Sequence, residues 1–177
     1  KTQLTHSGNS FYLRPETISL SQDDTKIAFT YYIYINYPAS VNIWSMLNDG
    51  SHLHQLTFGE YDASPCWSPS GTKILFTSLK NYQWENIWMM DSDGNNQHPL
   101  TFESYVNYDI YGGIGFLRNI QWFQNESKIL YNAIEPINYN SFIFTINSDG
   151  SGKTKLCNFG HEYFSVLSPN NNKIAFV

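Results

Sequence analysis

The sequence predicts an all-β protein, a β-propeller built of four-stranded antiparallel blades, with about 3.75 blades in this chain. A long motif occurs twice, as NIWSMLNDGSHLHQLTF at 42–58 and as NIWMMDSDGNNQHPLTF at 86–102. Shorter parts of the same unit recur in a constant order, including Asp-Gly pairs and Lys-Ile pairs that begin apolar triplets. Windows of helical length show no capped 3.6-residue apolar period, so essentially no helix is expected.

Each unit of the repeat contains four short apolar runs with turn residues between them. In the second copy, SPCWS is followed by the turn Pro69-Ser70-Gly71, and KILFTS alternates apolar and polar residues as a half-buried strand does. NIWMMD is the third run, and Asp93-Gly94 then supplies a residue suited to the positive φ of a tight hairpin. QHPLTF is the fourth run. A lone blade leaves both faces apolar, so the repeat lets neighbouring blades cover one another.

We interpret 1–177 as a single propeller domain or fragment, with three complete blades and one split blade. The complete blades are 17–58, 64–102 and 119–157, and the split blade combines 164–177 with 1–5. The split blade lacks a run of the NIW…DG type, so no third strand joins its second and fourth strands. Unpaired N–H and C=O groups along such an edge favour pairing with another strand. We therefore expect part of a larger propeller, or one that closes against a second chain by self-association through the open blade.

These motifs resemble the TolB-like β-propeller repeat, whose consensus is W-S-P-D-G-K-x-I-x-F, then I-W/Y-x-M-x-x-D-G, then L-T. The second copy carries the resemblance in Trp67 to Gly71, Lys73 to Phe76 and Ile87 to Met90. Three other copies depart from W-S-P-D-G, which predicts relaxed turns there: Leu20 to Asp24, Trp122 to Glu126, and Leu167 to Asn171. The resemblance implies a propeller, a periplasmic or extracytoplasmic location, and kinship with the propeller domains of prolyl-oligopeptidase-type peptidases.

The net charge, the apolar pattern and the cysteine spacing indicate which partners and sites are not expected for this sequence. The net charge of −5 argues against nucleic-acid binding, which depends on Lys and Arg. The sequence holds no apolar run long enough to insert into a membrane, and it does not open on the pattern of a signal peptide. Cys66 and Cys157 lack metal-site spacing, so we expect two half-buried thiols rather than a zinc site or a disulfide.

The sequence predicts no catalytic constellation, no metal site and no cofactor. The expected fold explains the patterns that resemble such sites. It contains no G-x-S-x-G motif for a nucleophile. Asp91-Ser92-Asp93-Gly94 resembles the start of a calcium loop, but the later ligands are missing, so we interpret it as a hairpin turn. His52 and His54 are expected on one face of an outer strand, with His98 on the next, as solvent-facing side chains.

Tyrosine-rich loops are the strongest indication of function. In a propeller, connections from strand two to three and from strand four to the next blade lie on the same face, and here they include a long insertion at 103–118. Tyrosine supplies stiff, amphipathic contact area, although it also fills gaps between blades. The candidate binding residues are Tyr37, Tyr61, Asp62, Tyr82, Trp84, Tyr111, Arg118, Tyr139, Glu162 and Tyr163.

The preferred hypothesis is a non-catalytic interaction module that binds a protein or peptide through this face. One alternative is the propeller portion of an enzyme, either a polysaccharide lyase-like protein or the gating domain of a serine peptidase. Another is a carbohydrate-binding propeller, because aromatic platforms beside Asn and Asp also suit sugars.

Overall fold

The computed structural model describes residues 17–33, 40–59, 61–80, 85–102, 117–134, 140–157 and 164–177. Within these ranges the chain forms fourteen β-strands and no helix. This part of the chain therefore presents no helix with the length and apolarity needed to cross a membrane. The prediction of an all-β fold is confirmed.

The strands form three four-stranded antiparallel sheets and one two-stranded sheet, each in sequence order. The first sheet contains β1 Ile18–Leu20, β2 Lys26–Ile33, β3 Ser40–Leu47 and β4 His54–Gln55. The second contains β5 Asp62–Trp67, β6 Lys73–Ser78, β7 Asn86–Asp91 and β8 His98–Pro99. The third contains β9 Leu117–Trp122, β10 Lys128–Ile134, β11 Ser141–Asn147 and β12 Thr154–Lys155. The fourth contains only β13 Ser165–Leu167 and β14 Ile174–Phe176, while 1–5 lie outside the described residues.

The middle strands are buried on both faces. The run KILFTS was expected to alternate between buried and exposed residues, and this expectation is wrong, because Ile74, Leu75 and Phe76 are all fully buried in β6. The second sheet lies between the first and the third, so consecutive side chains of β6 point into two different apolar layers. The first layer joins Ala28, Ile43 and Leu56 of the first sheet to Trp67, Ile74, Phe76, Trp88 and Met90 of the second.

The Asp-Gly and Leu-Thr motifs contact each other across neighbouring sheets. Gly94 has a φ of 89°, and a Cβ atom there would lie 2.8 Å from the carbonyl oxygen of Leu56. Gly150 has a φ of 84°, and its Cβ would lie 3.0 Å from the carbonyl oxygen of Leu100. Only glycine permits both the positive φ and this close approach. The Asp-Gly turns of the second and third sheets are therefore seated on the Leu-Thr segments of the sheets before them.

The threonine of the Leu-Thr motif replaces strand pairing where the short fourth strand ends. Thr57 Oγ1 accepts a hydrogen bond from the Ile43 N–H at 2.9 Å, and Thr101 Oγ1 accepts one from the Ile87 N–H at 2.9 Å. β4 and β8 each contain two residues, so without these hydroxyls the buried N–H groups would lack acceptors. The recurrence of threonine therefore has a local structural cause.

The turns between first and second strands keep one geometry in all four sheets. The residue with positive φ stands at the same place in each turn: Asp24 at 56°, Gly71 at 69°, Glu126 at 55° and Asn171 at 56°. The expectation that non-consensus turns would be relaxed is therefore wrong. Where a serine precedes the turn, its hydroxyl accepts a hydrogen bond from the N–H of the residue that begins the second strand. Ser68 accepts this bond from Lys73 at 3.1 Å. These bonds hold the turn even where its central glycine is absent.

Candidate functional site

The innermost strands of the four sheets converge on a common axis. The ends of β1, β5, β9 and β13 surround an open cavity of about 370 Å³. Each sheet contributes the residue at the tryptophan position of its repeat: Leu20, Trp67, Trp122 and Leu167. This convergence is that of propeller blades around a central channel, and the sheets are called blades from here on.

The two ends of the channel carry different parts of the blades, because every inner strand runs in the same direction. The turn face is the end that carries the turns between first and second strands, such as Pro69-Ser70-Gly71, and the cavity opens there. The loop face is the opposite end, where β5 begins at Asp62 and the connections from second to third strands leave the blades. Tyr61 and Asp62 of the predicted binding set lie at the loop face, at the start of β5.

The structure describes only a small part of the predicted binding set. Tyr61 and Asp62 are described in full, and Arg118 lies in β9 opposite Asn132. The other predicted residues lie outside the described residues: Tyr37, Tyr82, Trp84, Tyr111, Tyr139, Glu162 and Tyr163. The insertion also lies outside them as far as residue 116. The binding set therefore stays a prediction.

Asp62 is fully buried at the loop-face end of the channel. Its Oδ2 atom accepts a hydrogen bond from the Gly59 N–H at 3.2 Å. A Cβ atom on Gly59 would lie 2.6 Å from that oxygen, so the close approach of the two residues needs glycine. Tyr61 is half-buried, and its carbonyl oxygen accepts the Leu79 N–H at 3.1 Å. Tyr61 thus anchors the start of β5 to the end of β6, and Asp62 closes the turn that precedes β5.

A layer of buried polar side chains closes the blades beneath the loop face. We call it the polar floor, and it consists of Asn42, Asp62, Asn86, Asn132 and Ser165, all of them buried. Asn86 Oδ1 accepts a hydrogen bond from the Thr101 hydroxyl at 3.0 Å, and Asn132 Oδ1 accepts one from the Ser165 hydroxyl at 2.5 Å. The second of these bonds joins the third blade to the two-stranded sheet.

Two acceptors of the polar floor have no donor within the described part of the chain. They are Oδ1 of Asn42 and Oδ1 of Asp62. The parallel bridge between Val41 and Tyr61 brings their two strands side by side at this level. Buried oxygens without donors are costly, so this end of the channel favours a donor group from water, a loop or a ligand.

The sequence reasoning identified Asp62 and missed the rest of the polar floor. The signal was present, because Asn42 and Asn86 are the first letters of the two NIW motifs. An asparagine that recurs at the end of a buried strand has to satisfy its amide there, which indicates a buried polar layer. Asn132 and Ser165 belong to the drifted copies and carry no such repeated signal.

At the turn face, the lining of the cavity contains neutral polar and apolar side chains without a charged group. Gln121 joins the third blade to β13, donating from Nε2 to the Ser165 carbonyl oxygen at 2.6 Å and accepting the Leu167 N–H at 3.1 Å. Gln22 and Gln124 are exposed at the rim. These bonds join the third blade to the two-stranded sheet beside the open end of the channel.

Within the described ranges, no three His, Cys, Asp or Glu side chains are arranged to hold a metal ion. The expectation that His52 and His54 share one strand face is wrong, because β4 begins at His54 and His52 precedes it with a φ of 56°. Burial raises the pKa of the Cys66 thiol to about 11, so this thiol stays protonated and weakly nucleophilic at neutral pH.

The Asp-Gly carboxylates act within their own turns. Asp49, Asp93 and Asp149 each accept the N–H of the residue two positions later, at 2.8, 3.0 and 2.9 Å. Hydrogen bonds from Ser51, Asn95 and Ser151 lower the pKa of each carboxyl below its usual value. Each carboxylate thus closes a local turn, as its place in the repeat predicts.

No protein-family model and no curated protein sequence matches the chain. Solved structures match it at low identity. TolB from Acinetobacter baumannii matches with a TM-score of 0.67 and 18% identity, over 92% of this chain and 37% of that one. The β-propeller domain of the trilobed protease from Pyrococcus furiosus matches with a TM-score of 0.61 and 15% identity, over 92% and 47%. A chain of the nidogen/laminin complex matches with a TM-score of 0.67 and 15% identity, over 91% and 55%.

These similarities concern the fold. The predicted resemblance to TolB and to peptidase propellers is confirmed at that level, and the described blades form a partial β-propeller. The chain spans between 37% and 55% of the length of these three structures. One fold hosts many activities, so activity has to be argued from the chain's own residues.

Proposed function

We propose that the chain is a non-catalytic propeller module that binds a protein or peptide partner across its loop face. The observation that supports this most directly is the polar floor beneath that face. Its side chains hydrogen-bond neighbouring strands and blades, as between Ser165 and Asn132, and so hold the bases of successive loops at fixed spacing. Loops of variable sequence on a rigid base are the usual way in which such scaffolds bind partners.

The chemistry of the loop face suits a partner that supplies hydrogen-bond donors and apolar area. The loops contain the predicted tyrosine set, whose rings cover apolar groups and whose hydroxyls pair with backbone amides. The net charge of −5 favours a neutral or basic partner. The nidogen/laminin match is a complex of two proteins, and it supports a protein partner for this chain through likeness of fold. The TolB-like resemblance adds an extracytoplasmic location to the proposal.

Selection from a peptide library displayed on phage tests the proposal directly. We expect the immobilised chain to enrich specific peptides, and Tyr82→Ala to weaken their binding by about tenfold or more, as for a central aromatic contact. Tyr82→Phe keeps the ring and should retain most of the affinity. Gln124→Ala, at the rim of the turn-face cavity, is the matched control and should leave binding unchanged.

The result that would overturn the proposal is enrichment of peptides whose affinity follows Gln124 and ignores Tyr82. A parallel glycan array separates protein from carbohydrate recognition. Saturable glycan binding that is lost in Tyr82→Ala, without any peptide enrichment, would establish the carbohydrate-binding alternative instead.

A further inference from the structure

The segment between the first and second blades exposes an aromatic ring at the loop face. Phe58 follows the buried residues Leu56 and Thr57 and is 79% exposed. Phe102 stands at the same place between the second and third blades and is 68% exposed. Both places lie between two complete blades, so the exposure does not come from an unpaired edge. A phenylalanine repeated at an exposed position contributes little to the core, and aromatic residues are enriched at protein interfaces.

The same segment covers a buried carboxylate. Asp62 is fully buried, and its Oδ2 atom accepts a hydrogen bond from the Gly59 N–H at 3.2 Å. Gly59 is itself half-buried, so the carboxylate lies close beneath the surface of this segment. An exposed ring and a buried negative charge therefore stand four residues apart at one place on the loop face.

Asn42 and Asp62 form a pair of acceptors, which we call the acceptor pair. Val41 and Tyr61 form a parallel bridge, so the residues that follow them lie on neighbouring strands and point to the same side. Neighbouring strands are about 5 Å apart, a distance that one donor group can span. The Oδ1 atom of each residue lacks a donor within the described part of the chain. Both side chains are more than nine-tenths buried, so the missing bonds are costly.

The connections that join strands at the loop face carry the net charge of the chain. They are 34–39, 56–61, 79–85, 100–116, 135–140 and 156–164. They contain six acidic residues and one lysine, a net charge of −5, which is that of the whole chain. The lysine is Lys80, whose Nζ donates to Gln97 at 3.1 Å. Between described residues the structure forms one ion pair, from Lys73 to Asp91, and the acceptor pair takes no part in it.

We propose that the acceptor pair is a docking site for an arginine side chain of the partner, and that Phe58 and Phe102 contact apolar residues beside that arginine. We call this the arginine site, and it rests on the proposed function because it lies on the same face. A guanidinium group has five N–H donors in a planar fork, so it can donate to both Oδ1 atoms at once. Its charge compensates the carboxylate of Asp62, and its flat face stacks well on an aromatic ring. The partner is therefore a peptide segment in which an arginine has apolar neighbours.

Three phage libraries test this class of partner. Each displays heptapeptides whose central residue is fixed as arginine, glutamine or glutamate, while the other positions are random. We expect the immobilised chain to enrich peptides at least about tenfold more strongly from the arginine library than from the glutamine library, and least from the glutamate library. Fluorescence anisotropy of the most enriched peptide, labelled with fluorescein, then gives its affinity. Replacement of its arginine by citrulline removes the charge and should weaken binding by about tenfold.

Variants of the chain separate the two parts of the arginine site. Asp62→Asn keeps the size of the side chain and an acceptor for Gly59, and should weaken the arginine peptide by about tenfold while leaving the citrulline peptide unchanged. Phe58→Ser should weaken both peptides. The matched controls are Asp23→Asn and Leu53→Ser, which change an exposed carboxylate and an exposed leucine in connections at the turn face. They should leave both affinities unchanged, and circular dichroism of every variant should match the parent chain.

Two negative results have different meanings. Equal enrichment from the arginine and glutamine libraries, or an affinity that Asp62→Asn leaves unchanged, would overturn the arginine site while the proposed protein-binding function stands. No enrichment from any library would contradict the proposed function and the arginine site together. If Asp62→Asn does not fold, the citrulline peptide and Phe58→Ser still decide, because neither changes a buried residue.

Discussion

The second blade and the two-stranded sheet carry nearly the same motif in opposite environments. Ser68 and Lys73 close the turn of the second blade, and Ser168 closes the equivalent turn on Lys173 at 3.0 Å. The turn and the first strand pair are thus the same, yet Leu75 is fully buried and Ala175 is exposed. Local sequence therefore specifies the hairpin, and burial is supplied by the third strand and by the neighbouring blade.

The largest expected difference between these two regions concerns their aromatic residues. Trp88 is buried against Phe76 and the first blade, so Trp88→Ala should lower the free energy of unfolding by roughly 3–5 kcal/mol. Phe176→Ala, at an exposed ring, should cost less than about 1 kcal/mol. Urea denaturation followed by circular dichroism measures both. Equal losses would show that the two-stranded sheet is as tightly packed as a complete blade.

Substitutions at the two glycines of the second blade should lower the free energy of unfolding by different amounts, according to which atoms lie near each glycine. Gly94→Val introduces a Cβ atom 2.8 Å from the Leu56 carbonyl oxygen at a positive φ, and should cost about 2–4 kcal/mol. Gly71→Ala also meets a positive φ, but nothing lies within 4 Å of its Cβ, so the cost should be about 1 kcal/mol. Thermal melts of both variants provide the comparison. A smaller loss for Gly94→Val than for Gly71→Ala would contradict the seating of the turn on Leu56.

The serines that close the turns should contribute modestly and unequally to the free energy of unfolding. Ser68→Ala removes a buried hydroxyl that accepts the Lys73 N–H, and should cost about 1 kcal/mol. Ser168→Ala removes the same bond in a more exposed turn, where water replaces the hydroxyl, and should cost less. Denaturant midpoints of the two variants compare the costs. A greater loss at Ser168 would mean that the two-stranded sheet depends on its turn more than a complete blade does.

The smallest expected effect is a pH dependence confined to one turn. The Ser21 hydroxyl, with Thr25, lowers the pKa of Asp23 from 3.8 to about 2. Because the folded pKa is lower than the unfolded one, the stabilisation is complete above pH 3.8 and is lost as the pH falls through about 2. Asn170 takes this place in the two-stranded sheet, accepting from Ser168 at 2.9 Å, and carries no charge.

Asp23→Asn should therefore flatten the acid limb of stability between these two pH values while changing little at pH 7. Denaturation midpoints measured across this range, in parallel with Asn170→Asp, provide the check. An acid limb that is unchanged in Asp23→Asn would assign the pH dependence to other carboxylates, such as those of the Asp-Gly turns.

Most of the repeat's structure could be predicted, because each recurring motif has a local physical cause. Gly94 and Gly150 permit a positive φ, and Asp93 closes its own turn, so the hairpins are readable from a few neighbouring residues. The burial of β6 could not be read in this way. Ile74, Leu75 and Phe76 are consecutive apolar residues, and Thr77 is fully buried with them, because a different neighbouring blade covers each face of the strand.

The sequence by itself determined the all-β fold, the four-strand unit and the turns, since these follow from backbone preferences within short segments. The tertiary structure alone decided that Asp62 is buried, with Gly59 packed against its carboxylate. It also decided that Leu56 is covered and Leu156 uncovered, although the same motif contains both. The physical reason is that burial depends on which blade stacks on each face, and that contact joins residues some forty positions apart, such as Leu56 and Gly94.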